Sequence, residues 1–159
     1  MKRMVQVLAI GFVIAGMAGV QAQGTMASKT AAQPAAKKSL YDRLGGKASI
    51  VAVVDDFVGN VGGDKRINSF FAATVADKAR LAKFKGNLVD QICEASGGPC
   101  KYTGKDMKTA HAGMGITGPQ FDALVEDLSK SLVKFKVAKA DQDALLGVLG
   151  PMKPQIVSK

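Results

Sequence analysis

The sequence has no tryptophan, one histidine, two cysteines and two tyrosines in 159 residues. Each scarcity closes off some chemistry. A single histidine excludes any metal site or mechanism that needs two from one chain. Two cysteines are too few for a disulfide-dense scaffold or a four-thiolate zinc site. Acidic residues run short, 13 against 22 Lys and Arg, for a net charge of +9. Such a surplus is compatible with acidic partners, a membrane surface or nucleic acid, and selects none of them. The basic pairs Lys83-Phe-Lys85 and Lys134-Phe-Lys136 read as solvated faces with a Phe turned to the core. No motif of interleaved aromatic and basic residues accompanies them, so nucleic acid is not an expected partner. What is present is a globular composition, 47% apolar and 22% charged. It suits one domain with a packed core of about 120 residues.

Residues 1–22 stand apart. Lys2 and Arg3 precede an apolar run from Val7 to Val20, and Val20-Gln21-Ala22 gives a small-x-small pattern before Gln23. This is the layout of a secretory signal peptide. The run is shorter than the roughly 20 residues of a spanning helix, so no stable membrane insertion is expected once the leader is removed. Removal lowers the net charge from +9 to +7, 20 basic against 13 acidic. The expected location is periplasmic or secreted, where disulfides are permitted. Residues 23–38, rich in Ala, Gln, Thr and Lys without an apolar period, read as a flexible linker.

From Ser39 onward the periodicity is helical, with no alternating strands. Ile50, Val53, Val54, Phe57, Val58 and Val61 form one face of a helix over 47–61. Asp64 is placed to cap a short helix carrying Ile67, Phe70 and Phe71, and Asp77 to cap one carrying Leu81, Phe84, Leu88 and Ile92. Gly97-Gly98-Pro99 ends the latter. A short helix over Asp106–His111 is broken by Gly113 and Gly115. Thr117-Gly-Pro-Gln120 reads as a capping box before Phe121, Leu124, Val125, Leu128 and Leu132. A last helix starts near Asp141 and carries Leu145, Leu146, Leu149, Met152 and Ile156, with Pro151 kinking or ending it. The fold class is all-α.

His111 is the one side chain able to bind a metal as neutral imidazole. Met107 lies four residues before it on the same helical face. Cys93 and Cys100 flank the Gly-Gly-Pro turn, which can bring their Cα atoms within disulfide range. A structural disulfide is favoured, with two buried thiols as the alternative. Neither Cys-x-x-Cys nor Cys-x-x-Cys-His occurs, so neither a redox motif nor covalent haem attachment through cysteine is expected.

Taken in order, four segments carry a resemblance. They are Leu40-Tyr-Asp-Arg-Leu-Gly-Gly46, Phe70-Phe71, Gly97-Gly98-Pro99 with Tyr102-Thr-Gly104, and Met107-Lys-Thr-Ala-His111-Ala-Gly-Met-Gly-Ile-Thr117. Residues 39–157 resemble a group I truncated haemoglobin. The resemblance implies a truncated globin-like two-over-two helical sandwich enclosing non-covalent haem b, with His111 as the proximal ligand of the iron. It places Phe71, Phe84, Leu88, Tyr102, Met107, Ile116 and Phe121 around the cofactor, Tyr102 near a haem propionate, with Lys108 a further candidate to pair one. On the distal side it places Phe57, Val58, Phe84 and Leu88. Family members often carry Tyr where Val58 stands, and Gln at one of the positions of Phe84 and Leu88, so this distal pocket is unusually apolar. Gln91, one turn further along, is the nearest amide, and a Lys, a Met or water is a candidate for the sixth coordination site, with Lys83 and Lys85 on the right helix at neighbouring angles to Phe84.

The implied function is reversible binding of O2, CO or NO. The rivals are a haem-dependent redox enzyme (an NO dioxygenase or a peroxidase-like activity), which would need an electron donor, an electron-transfer haem protein with its sixth site filled, and a basic helical adaptor without cofactor. No flavin or nicotinamide motif and no distal Tyr supports the enzyme, so binding ranks above catalysis. Intact mass of the exported protein should begin at Gln23; a mass that retains residues 1–22 would contradict the leader.

Overall fold

A computed structural model describes residues 37–158. The leader 1–22 and the linker as far as residue 36 lie outside the described residues. Ten helical segments follow one another there, and no strand occurs among the described residues.

Helix α1 (Leu40–Arg43) is held by a reciprocal cap: Ser39 Oγ accepts from the Asp42 N–H at 3.1 Å, and Asp42 accepts from the Ser39 N–H at 3.1 Å. Helix α2 (Gly46–Gly63) buries Ile50, Val53, Val54, Phe57, Val58 and Val61, the face its period predicts. Asp64 behaves differently from its expected role as an N-cap. It sits at the end of α2, and its carboxylate accepts from the Arg66 N–H at 2.9 Å and pairs with that guanidinium at 2.7 Å. The arginine holds the Asp64 acid down at about 2. The Asp64 bond to the Arg66 N–H caps a turn over 65–67, and the helical segment itself starts only after Ile67. The chain instead makes a 3-10 turn over Asn68–Phe70 and a short α3 (Ala72–Val75), with Phe71 at their junction.

Helix α4 (Lys78–Ala95) is capped by Asp77, which accepts from the N–H groups of Ala79 and Arg80 at 2.9 and 3.0 Å. Its Val89, Ile92 and Cys93 are buried in the core. Helix α5 (Met107–His111) is short and capped by Asp106. Helix α6 (Gly118–Lys134) starts at the predicted Thr117–Gln120 capping box. Helix α7 (Lys139–Leu149) ends earlier than its apolar period suggests. Pro151 falls in a 3-10 turn over Gly150–Met152, and Pro154 lies in the first turn of α8 (Lys153–Ile156). Two prolines three residues apart remove two helical N–H donors, so one long final helix becomes three pieces.

The four long helices make a closed set of contacts: α2 packs on α4 and α6, and α7 packs on the same two. Between them lies a core that includes Val54, Phe57, Val89, Cys93, Leu132 and Leu145. A polar stitch runs across α2 and α6. Asn60 donates to Ser131 Oγ at 2.9 Å, and Ser131 donates to Asp56 at 2.9 Å. Phe135 departs from its expected inward place and is 42% exposed. It lies just past the end of α6, at the edge of a small surface cavity that it lines with Ala48, Ala52 and Val53 of α2.

Cys93 and Cys100 form a disulfide with Cα atoms 5.7 Å apart. It fastens the end of α4 to the irregular segment that leads to α5. The turn fits only because residue 98 is Gly: a Cβ there would lie 2.7 Å from Cys93 Sγ, 2.8 Å from the Cys93 carbonyl and 2.5 Å from the Tyr41 ring. Closing so short a loop removes entropy from the unfolded chain worth about 2–3 kcal/mol. Reduction should therefore lower the urea midpoint by that amount of stability while leaving the helical spectrum intact; identical midpoints with and without reductant would contradict the staple.

Candidate functional site

Helices α4, α5, α6 and α8 and the 96–106 segment surround a cavity of about 660 Å³ that opens to solvent. An apolar lobe of about 330 Å³ adjoins it, reaching among α4, α6 and α7. Both volumes lie within the range of small-molecule sites. Most of the residues singled out in the sequence come together here. Phe71, Phe84, Leu88, Tyr102, Met107, His111, Ile116 and Phe121 all line the open lobe. The rings of Phe71 and Phe84 meet at 5.6 Å and 49°, a tilted packing that builds an apolar wall.

The remaining candidates lie elsewhere. Phe57 lines only the apolar lobe. Val58 lines neither; it is buried in the core, because α2 turns that face towards the other long helices. Lys83 stands on the rim of the open lobe. Lys85 is drawn away to Asp55 on α2, at 3.0 Å. Lys108 is exposed on α5 and does not line the cavity.

The geometry at His111 is specific. Asp106 accepts from the Thr109 N–H at 2.9 Å and starts α5; hydrogen bonding to Thr109 holds that carboxylate below its usual range. His111 ends the helix. Gly113 and Gly115 then take φ of +76° and +64°, ending the helix in a sharp turn that lets Met114 and Ile116 line the cavity as well. The imidazole Nδ1 lies 2.8 Å from the Met107 carbonyl. A carbonyl only accepts, so Nδ1 carries the hydrogen and Nε2 keeps its lone pair. The side chain lines both lobes. No group of three His, Cys, Asp or Glu able to hold a bare metal ion exists among the described residues. One fixed imidazole in an apolar cavity suits a metal that arrives already held by a planar ligand.

The segment before α5 is braced. Glu94 accepts from the Tyr102 N–H at 2.8 Å and pairs with Lys101 at 3.0 Å. These bonds, the backbone one foremost, hold its carboxyl below the usual range. The Tyr102 hydroxyl donates to the Lys105 carbonyl at 2.7 Å. Burial, then the charge of Asp106, raises that phenol above its ordinary value.

Several lining residues were not legible as such. Met152 lines the apolar lobe and Ile156 lines both. Leu146 and Leu149 line the apolar lobe too, so Met152 and Ile156 continue, past the Pro151 turn, the apolar stripe that the spacing gives. Lys105 and Thr103 join through an irregular segment that has no period to read. Gln91 lines both lobes, and its amide nitrogen sits 3.5 Å from Met107 Sδ and 3.2 Å from Met152 Sδ.

Residues 39–158 match the family model described as bacterial-like globin. The chain is 34% identical to a group 1 truncated haemoglobin of Mycolicibacterium paratuberculosis, over 80% of this chain and 88% of that one. It is 31% identical to a group 1 truncated haemoglobin of Nostoc, over 76% of this chain and 98% of that one. Among solved structures, it is similar to the ferric truncated haemoglobin of Tetrahymena pyriformis (28% identity, TM-score 0.69) and to a Synechococcus 2/2 haemoglobin in the cyanomet state with covalently attached haem (31% identity, TM-score 0.69). Each comparison covers 77% of this chain and all of the other. Removing the brace of the 96–106 segment is a direct check on the site's architecture. Glu94→Ala should leave the helices intact but speed amide exchange at Tyr102; unchanged exchange would mean that Glu94 does not hold the segment.

Proposed function

Because the chain belongs to the bacterial-like globin family, as a group 1 truncated haemoglobin, we propose that it holds haem b non-covalently in this cavity and binds a diatomic gas reversibly, with His111 as the iron's protein ligand. The observation that carries the reading is the 2.8 Å bond from His111 Nδ1 to the Met107 carbonyl. It fixes the tautomer that leaves Nε2 free for a metal, orients the ring, and raises its basicity.

When bound, haem supplies an iron with one coordination position open to a gas. The protein supplies the rest. Phe71, Phe84, Met107, Ile116 and Phe121 offer an apolar envelope for the ring and keep water from it. Lys83 and Lys105 on the rim belong to no ion pair among the described residues and suit the two carboxylates of the cofactor. Covalent attachment through sulfur is closed off, since both cysteines are joined to each other. Phe84 and Leu88, on the α4 face of the cavity, provide no hydrogen bond to a ligand. A donor to a charged acceptor contributes roughly 1.5–3 kcal/mol, so oxygen, which gains negative charge on binding, loses more from this apolar wall than CO does.

We read the chain as exported. The leader pattern of residues 1–22 and the Cys93–Cys100 disulfide both fit an oxidising compartment.

The test is the absorption spectrum of the purified protein, oxidised, reduced and under CO. A Soret band that moves sharply with CO is expected; no Soret band after haem addition would refute haem binding, and a band indifferent to CO would favour electron transfer. Leu88→Gln should slow oxygen dissociation by about ten-fold or more. An unchanged rate would show that Leu88 does not face the ligand.

A further inference from the structure

Helix α5 carries His111, yet its own five residues do not hold it in place: none of its side chains is fully buried. The stretch that follows it, as far as Ile116, is turn and irregular backbone. Among the described residues, one backbone bond ties 107–117 to a distant part of the chain: the Ser158 N–H donates to the Ile116 carbonyl at 3.0 Å. Ile156, two residues earlier, is 9% exposed and forms one cluster with Ile116 and Phe121. Met107 and Met114, which bracket His111 in the sequence, pack against that cluster. The other end of the same segment is fixed to α6. The Lys153 ammonium pairs with Asp122 at 2.6 Å and stands 5.3 Å from the centre of the Phe121 ring. Between the two ends, the Val157 N–H closes on the Lys153 carbonyl at 2.9 Å. An exposed ion pair contributes little by itself, so the buried Ile156 and the Ser158 bond carry most of the attachment.

Resting on the haem reading above, we infer that residues 153–158 form a clamp that places α5 against the cofactor, with Ile156 the positioning residue for His111. The bond from His111 Nδ1 to the Met107 carbonyl turns the ring within α5. It travels with α5, so it cannot place the helix itself. Ile156 packs against residues on both sides of His111, and any shift of α5 would open a void there. The clamp thus sets how firmly the imidazole is held to the iron and how slowly haem leaves. Its reach is long in sequence: the last residues of the chain govern a ligand more than 40 positions earlier.

The experiment compares wild type, Ile156→Ala, Ile156→Val, Ser158→Pro and Leu145→Val. Ser158→Pro removes the N–H that reaches Ile116 and leaves every cavity-lining side chain in place. Val157 before it, at φ −78° and ψ 125°, already has the extended conformation that precedes proline. Leu145 is buried in the core and lines neither lobe, so its variant loosens the fold without touching the clamp. Amide exchange at Ala110 and Met114 is followed in the haem-free protein. The iron–imidazole stretching band and the rate of haem transfer to apomyoglobin are followed in the loaded protein. Ile156→Ala and Ser158→Pro should both speed that exchange, shift or broaden the band, and speed haem loss by about ten-fold or more. Ile156→Val should stay near wild type, and Leu145→Val should leave the band in place. If Ile156→Ala and Ser158→Pro keep wild-type exchange and band, the clamp is overturned and the haem site stands. An equal shift in Leu145→Val would trace the effect to general loosening and overturn it too. A shift confined to Ile156→Ala would assign it to direct contact with the cofactor, again against the clamp. If the wild type binds haem without the band, the His111 reading itself fails and the positioning role fails with it; faster exchange in the haem-free variants would then show only that the segment holds α5.

Discussion

One hydrogen bond inside a five-residue helix sets the chemistry of this protein. The Met107 carbonyl takes the Nδ1 proton of His111, and the other ring nitrogen is left as a lone pair in a cavity that holds little else of its kind. Such a helix has no stability of its own, since one turn fixes more dihedrals than it gains bonds. Its place must be imposed from outside. Asp106 caps its start, α8 packs against it, and the segment before it is fastened at Cys93–Cys100 and again at Glu94. The disulfide and the carboxylate are therefore part of the site, though neither side chain lines it.

The four long helices do a different job. They bury one another so well that α2 spends its apolar face, Val58 included, on the core, and only Phe57 of that face also reaches the apolar lobe. The cavity survives beside this core because the surrounding pieces are short, irregular or broken. The 3-10 turn before Phe71, the 96–106 segment and the fractured end after Leu149 all present side chains to the cavity without filling it.

The sequence and the structure agree where physics is local and periodic. The buried face of α2, the cap at Asp77 and the capping box at Thr117 follow from spacing and side-chain chemistry alone, and all three appear as read. The gathering of His111, Met107, Phe71 and Phe121 was legible only through resemblance to a family, because period says which face is apolar but not which faces meet. Asp64 misled in part: its carboxylate takes the Arg66 N–H as a cap would, but only a turn follows it, and the helical segment begins beyond Ile67. Phe135 misled because a Phe between lysines has no periodic signal once its helix has ended. Gln91 was visible as the nearest amide, yet its thioether partners come from α5 and from Met152 beyond the Pro151 break, which no spacing rule connects.

The central claim is that His111 Nε2 is the iron's protein ligand. Low-frequency resonance Raman spectroscopy of the reduced, haem-loaded protein tests it most directly. An iron–imidazole stretching band is predicted in the wild type, lost in His111→Ala. A band that persists in the variant, or a wild type that binds haem without one, would contradict the account.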